Sequence, residues 1–230
     1  MNSNNKTARL AGVLYLFLIL FGIVAQIIRS SLAVSNDAAA TASNIIANEF
    51  LFRVSFICDL LMTTCYFLFG LTLYLLLKSI NKNIALLMLV LNLIAAPIMA
   101  LNMINQYAAL LLLNGAEYLK IFQKNQLQAL AMFFLDLQNH GYLIGTIGFG
   151  FYFFPLGYLI YKSGGFPKTF GILFIIGGFL FLIDFLTQFL FPQFTDISMI
   201  ALSPIALLEI TFSLWLLIKG MKHQEPLFES

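Results

Sequence analysis

The chain has 230 residues, 61% of them hydrophobic and only 10% charged, where soluble domains run at roughly 45–50% apolar and about 25% charged. A water-soluble fold of this length could not hide so much apolar surface, so lipid is its natural solvent. A net charge of +2 is too small to suggest a nucleic-acid partner, and the bilayer is the one partner that the composition requires.

A spanning α-helix needs about 20 predominantly apolar residues. The stretches 10–28, 54–77, 84–113, 135–161, 169–190 and 197–218 each qualify, which predicts an all-α, single-domain integral membrane bundle of six transmembrane helices. The first span follows Lys6 and Arg9 and precedes Ser31-Leu32-Ala33, so it has some features of a cleaved signal peptide. Its apolar run is too long for a usual signal core, and Gln26 and Arg29 interrupt the approach to the cleavage-like site. A retained helix is therefore expected.

The connection Asn36–Phe52 has Asp37 at a helix-start position and suits a short helix lying on the surface. Span two carries Cys58 and Cys65, a rise of about 10 Å apart on one helix and too far for a disulfide. No C-x-x-C pair exists, so these read as buried thiols. Spans three and four exceed what the core requires, and Pro97 and Pro155 fall inside them. Pro204 sits near the start of span six. Each proline removes a backbone donor. Between spans three and four, Asn114–Gln128 mixes Leu119, Ile121, Phe122 and Leu127 with polar residues, as an interfacial helix running into span four would.

Orientation follows from the basic residues. With the N-terminus cytoplasmic, the inside segments hold Lys6, Arg9, Lys78, Lys82, Lys162, Lys168, Lys219 and Lys222, and the outside segments hold Arg29, Arg53, Lys120 and Lys124. The excess places both termini inside. A weak internal echo pairs Tyr74-Leu75-Leu76-Leu77-Lys78-Ser79 with Tyr158-Leu159-Ile160-Tyr161-Lys162-Ser163, as parallel repeated hairpins would. Similar apolar helices ending in an inside Lys give the same pattern by chance. Gly141, Gly145, Gly148, Gly171, Gly177 and Gly178 are small-residue contact positions. Tyr15, Tyr66, Tyr74, Tyr107, Tyr142, Tyr158 and Trp215 suit span ends or packing.

The stretch His140–Asp184, together with Ala8–Leu16, resembles a bacterial multi-span membrane family known as domain of unknown function 4386. The most specific part is Gly157-Tyr158-Leu159, then Lys162-Ser163-Gly164, then Pro167 and Gly171. Where the family has Leu-Pro-Arg this chain has Phe166-Pro167-Lys168, which keeps the charge and loses any bidentate contact of an arginine. The resemblance implies a six-helix fold in the bacterial cytoplasmic membrane and no particular activity.

Ionisable groups inside spans are expensive, so each needs a partner or water. Asp59, Asp136 and Asp184 fall in the outer half of their spans, and Glu209 falls near the middle of span six. Arg29, Arg53, Asn102, Asn105, Gln106, His140 and Gln188 lie at comparable depths. His140 is four residues after Asp136 on one helix face, and Asn102 and His140 are candidate partners for Glu209. Taken together, Arg29, Arg53, Asp59, Asn102, Gln106, Asp136, His140, Asp184 and Glu209 outline a polar pocket toward the outside. The same groups could equally be glue between helices.

His140 and the tail residue His223 are the only histidines, so a three-histidine zinc site is excluded. No phosphate loop or nucleophile elbow is present, and no cofactor is called for. Three roles remain open. One is binding or transport of a small amphiphile through the polar cluster. The second is a structural or regulatory subunit packed on a membrane-protein partner. The third is a lipid-acting enzyme using Asp136, His140 and Asp184 as acid–base groups.

Overall fold

The computed structural model describes residues 3–221; Lys222 and His223 lie outside the described residues. Among those described, the chain forms seven α-helices and two single-turn 3-10 helices, and no strand. The α-helices are α1 (Ser3–Leu32), α2 (Ala38–Ala47), α3 (Glu49–Leu77), α4 (Lys82–Leu113), α5 (Lys124–Ser163), α6 (Lys168–Leu190) and α7 (Thr195–Ile218). All except α2 are long and apolar enough to cross a membrane, and they correspond one to one with the six predicted spans. Their outward faces are apolar: α1 exposes Leu20, Ile23 and Ile27, and α7 exposes Leu207, Leu214 and Ile218. Water would not tolerate such continuous apolar faces, and hydrocarbon does.

The helix ends follow local rules. Asp37 caps α2 by accepting a hydrogen bond from the Ala40 N–H at 2.8 Å, which satisfies one of the free donors of the first turn. The short helix is tied down more firmly than a surface helix needs to be. Asn44 donates to the Leu32 carbonyl at 3.2 Å, and Ile45 is buried with Ile28, Leu32, Phe52, Leu110 and Leu135. The expected interfacial helix over Asn114–Gln128 is not a separate element. The segment makes one 3-10 turn over Glu117–Leu119 and then joins α5 at Lys124. At 40 residues, α5 rises about 60 Å, twice the roughly 30 Å hydrocarbon core. Pro97, Pro155 and Pro204 all lie inside helices that continue through them.

The described chain divides into two compact units. One contains the residues through Phe17, Cys65–Ala96 and everything from Ile144 on; the other contains Leu18–Thr64 and Pro97–Leu143. Helices α1, α3, α4 and α5 each give one stretch to each unit.

The first unit has an aromatic core. Phe212 meets Tyr15, Phe166, Phe170 and Phe174 with ring centroids 5.0–6.5 Å apart. Helices α5 and α6 approach backbone to backbone. A Cβ on Gly157 would stand 2.5 Å from the Gly171 carbonyl oxygen, and one on Gly178 would stand 2.8 Å from that of Gly150. The turn joining these helices explains the residues that carried the family resemblance. Ser163 Oγ donates to the Ile160 carbonyl at 2.8 Å and accepts from the Gly165 N–H at 3.3 Å. Gly164 takes φ of 60°, a backbone that glycine adopts without strain. Lys168 sits 5.3 Å from the Tyr161 ring centroid. The turn 78–81 has the same length, with Lys78 5.9 Å from the Tyr74 ring centroid, but the echo aligns Tyr74 and Lys78 with Tyr158 and Lys162, so the two lysine–ring contacts are not equivalent.

The second unit is held by the cluster of Ile28, Leu32, Ile45, Phe52, Ala109, Leu110, Ala131 and Leu135. Its Gly141 does not make a backbone contact of the kind its spacing suggested. A Cβ there would fall 1.9 Å from Asn102 Oδ1, so the glycine is the seat of an asparagine side chain.

Candidate functional site

Most polar residues singled out in the second unit have a structural partner or face outward, although Gln106 Oε1 is buried without one. Arg29 forms an ion pair with Asp59, and the two side chains keep only 12% and 3% of their surface exposed. The Arg29 guanidinium also donates to Gln26 at 3.0 Å. Gln106 donates to Ser55 Oγ at 2.8 Å. Asn102 donates to the Gln138 carbonyl at 2.8 Å and accepts from Asn105 at 3.0 Å. Arg53, placed by depth among the partners of intramembrane acids, instead pairs with the exposed Glu49 of its own helix at 2.6 Å. Asp136 and His140 both lie on the exposed surface of α5. A cavity of about 380 Å³ opens where Ile45, Ile46, Glu49, Leu110, Leu113 and Asn114 meet; its one charged lining residue, Glu49, is already neutralised by Arg53.

The first unit is less complete. Asp184 is buried at 3% exposure. One carboxylate oxygen accepts from Gln188 at 2.9 Å, and the other has no hydrogen-bond partner. Glu209 accepts a hydrogen bond from the Tyr15 hydroxyl. This corrects the expected pairing with Asn102 or His140. Glu209 is half-buried.

Around Tyr15 and Glu209 stand Tyr66 and Tyr152, both within electrostatic reach of Tyr15. The Tyr66 and Tyr152 rings meet edge to face at 5.9 Å. Asn92 donates to the Tyr66 carbonyl at 3.0 Å, in room left by Gly70, where a Cβ would fall 2.3 Å from the amide. The Tyr152 hydroxyl is buried without a hydrogen-bond partner, while the Tyr66 hydroxyl has the Asn92 side chain as its neighbour. Native interiors rarely leave such groups unpaired. Sequence reading assigned Tyr15 and Tyr66 to packing and passed over Asn92 and Tyr152. Asn92 carried a usable signal, as an amide in the middle of an apolar run.

Six helices long and apolar enough to cross a membrane, with ionisable groups buried among them, define a membrane-like helical bundle. The chain belongs to the family described as Domain of unknown function (DUF4386), which it matches over residues 10–220. It is also 30% identical over 153 residues to an uncharacterized protein of Archaeoglobus fulgidus, with 66% of this chain and 75% of that one covered. No solved structure matches.

Proposed function

We propose that this protein binds a small amphiphile inside its helical bundle, in the cytoplasmic membrane with both termini inside, as a binding or transport protein. The observation that supports this reading best is Glu209. It is a half-buried carboxyl within a span, held by the Tyr15 hydroxyl and neighboured by the buried tyrosines Tyr66 and Tyr152, the second of which has an unpartnered hydroxyl. A purely structural carboxyl would be expected to have its lone pairs filled by neighbours. The cavity beside Glu49 is a weaker candidate, because its charge already has a partner.

The second reading, a structural or regulatory subunit, draws support from the other unit. There Arg29–Asp59, Gln106–Ser55 and Asn102–Gln138 are contacts that tie helices together. Those residues of the nine-residue cluster act as ties in this proposal, and the binding role falls to Glu209 with its tyrosines.

Native mass spectrometry of the full chain in mild detergent tests the choice. The amphiphile reading expects a discrete bound species on the wild type that is absent from Glu209→Gln. A bare wild type, in several detergents that preserve its helicity, would instead favour the structural reading.

A further inference from the structure

The cavity of about 380 Å³ in the second unit lies at the ends of spans, where head groups meet hydrocarbon. Ile45 and Ile46 come from α2, Glu49 opens α3, and Leu110, Leu113 and Asn114 stand at the close of α4. Its volume is at the small end of ligand pockets, which run at about 300–1,000 Å³. Four walls are aliphatic and two are polar.

The polar side carries an ion pair with capacity to spare. Arg53 Nε donates to Glu49 Oε1 at 2.8 Å, and Arg53 Nη2 stands 2.6 Å from the same oxygen. Both approaches use Oε1, which leaves Oε2 for a ligand. A guanidinium has five N–H donors and a carboxylate about four lone-pair sites, so neither partner is saturated by the other. Both side chains are also open, at 49% and 43% exposure. An ion pair is a poor seat for a single charge, because one member always repels it. Its free edges fit a ligand that carries both signs, an anion on Arg53 and a cation on Glu49.

The walls narrow the cation. A quaternary ammonium is held by aromatic faces, and among the described residues no aromatic ring lines this cavity. A primary ammonium brings three N–H donors, and Glu49 Oε2 and the Asn114 side-chain carbonyl are acceptors for them. The apolar wall continues onto the outer surface of the bundle. Ile46 lines the cavity and is itself 53% exposed, and Phe50, the residue after Glu49, is 80% exposed. A free zwitterion gains nothing from such a surface, whereas acyl chains lie on it.

We propose that this cavity binds a phospholipid whose head carries a phosphate and a primary ammonium. The ammonium sits on Glu49 and Asn114, the phosphate on the free edge of Arg53, and the chains leave along Ile46 and Phe50. The site goes beyond the Glu209 reading and does not depend on it.

Phosphatidylethanolamine, phosphatidylcholine and phosphatidylglycerol with identical chains are titrated into the purified full chain in mild detergent and followed by native mass spectrometry. Phosphatidylethanolamine is expected to bind at least about tenfold more tightly than either of the others. Glu49→Gln is expected to abolish its preference over phosphatidylcholine, and Arg53→Gln to weaken all three lipids through the lost phosphate contact. Should a charge variant fail to fold, Asn114→Leu, which keeps the ion pair and removes an ammonium acceptor, provides the comparison and is expected to narrow the preference. Equal binding of the three lipids by the wild type would mean a nonselective lipid coat and overturn the proposal. An undiminished preference in Glu49→Gln overturns the assignment to this cavity. Displacement of the lipid by free phosphoethanolamine at equal concentration would make a soluble zwitterion the ligand and overturn the lipid. Every variant keeps Glu209, so each of these failures leaves the Glu209 reading standing.

Discussion

At the scale of single residues, the two units treat their buried charges differently, and the difference is testable. Asp59 and Arg29 are almost fully enclosed and matched to each other. Removing one member leaves an uncompensated buried charge, which typically costs about 3–5 kcal/mol, whereas replacing both by apolar residues is often neutral. Asp59→Leu and Arg29→Leu are each expected to destabilise the protein by about that amount, and the double variant to recover most of it. Unfolding in graded detergent denaturant measures all three, and a double variant no better than the singles would mean that the pair is more than mutual neutralisation. This pairing was legible in sequence, because Arg29 ends one helix near the depth at which Asp59 sits in the next. The partner of Glu209 was not. Depth and helix phase indicate a level and a face, and a tyrosine in an apolar run reads as packing until the neighbouring helix is in place.

At the scale of helices, glycine has two distinct uses. On α5 and α6 it lets backbones touch: a Cβ at Gly157 meets the Gly171 carbonyl at 2.5 Å and the Ile175 N at 3.0 Å. Backbone cannot step aside, so Gly157→Ala is expected to destabilise by about 1–3 kcal/mol, in spite of the better helix propensity of alanine. Gly22→Ala is the counter-case. Its nearest neighbour is the flexible Met62 side chain at 3.0 Å, and the helix gains from alanine, so the change is expected to be near neutral or mildly stabilising. Thermal unfolding of the two variants side by side separates the mechanisms, and equal losses would mean that the α5–α6 approach is not special. The second use is to seat an asparagine. Asn92 and Asn102, both on α4, each donate to a carbonyl about one turn before a glycine of a neighbouring helix, the carbonyls of Tyr66 and Gln138 with Gly70 and Gly141. The glycine spacing was legible in sequence and correctly read as packing, but a small residue says that something comes close without saying what. Asn102 therefore looked like a candidate ligand group, although its amide donates across a helix–helix contact, as that of Asn92 does.

At the scale of the whole chain, the six spans were plain in sequence, since hydrocarbon demands length and apolarity that little else imitates. The linking segments were less so: α2 proved anchored by buried Ile45, and the expected interfacial helix was absorbed into the long α5. Which side the turns face is set by charge. The turn 78–81 with the first residue of α4 carries Lys78 and Lys82, and the turn between α5 and α6 is flanked by Lys162 and Lys168. Moving each such charge outward against a membrane potential costs about 2.3 kcal/mol per 100 mV, and short basic loops dominate topology. Both turns are therefore expected inside, and the segment between α4 and α5 outside. In a background with Cys58 and Cys65 replaced by alanine, Ser79→Cys and Gln123→Cys put single thiols at exposed positions of the two kinds of segment. An impermeant maleimide applied to intact cells should label Gln123→Cys at once and Ser79→Cys only after permeabilisation. The reverse pattern would invert the bundle, and with it the side from which a ligand reaches Glu209. The basic turns would then have been held outside against both charge rules, by a force that the helices themselves do not supply.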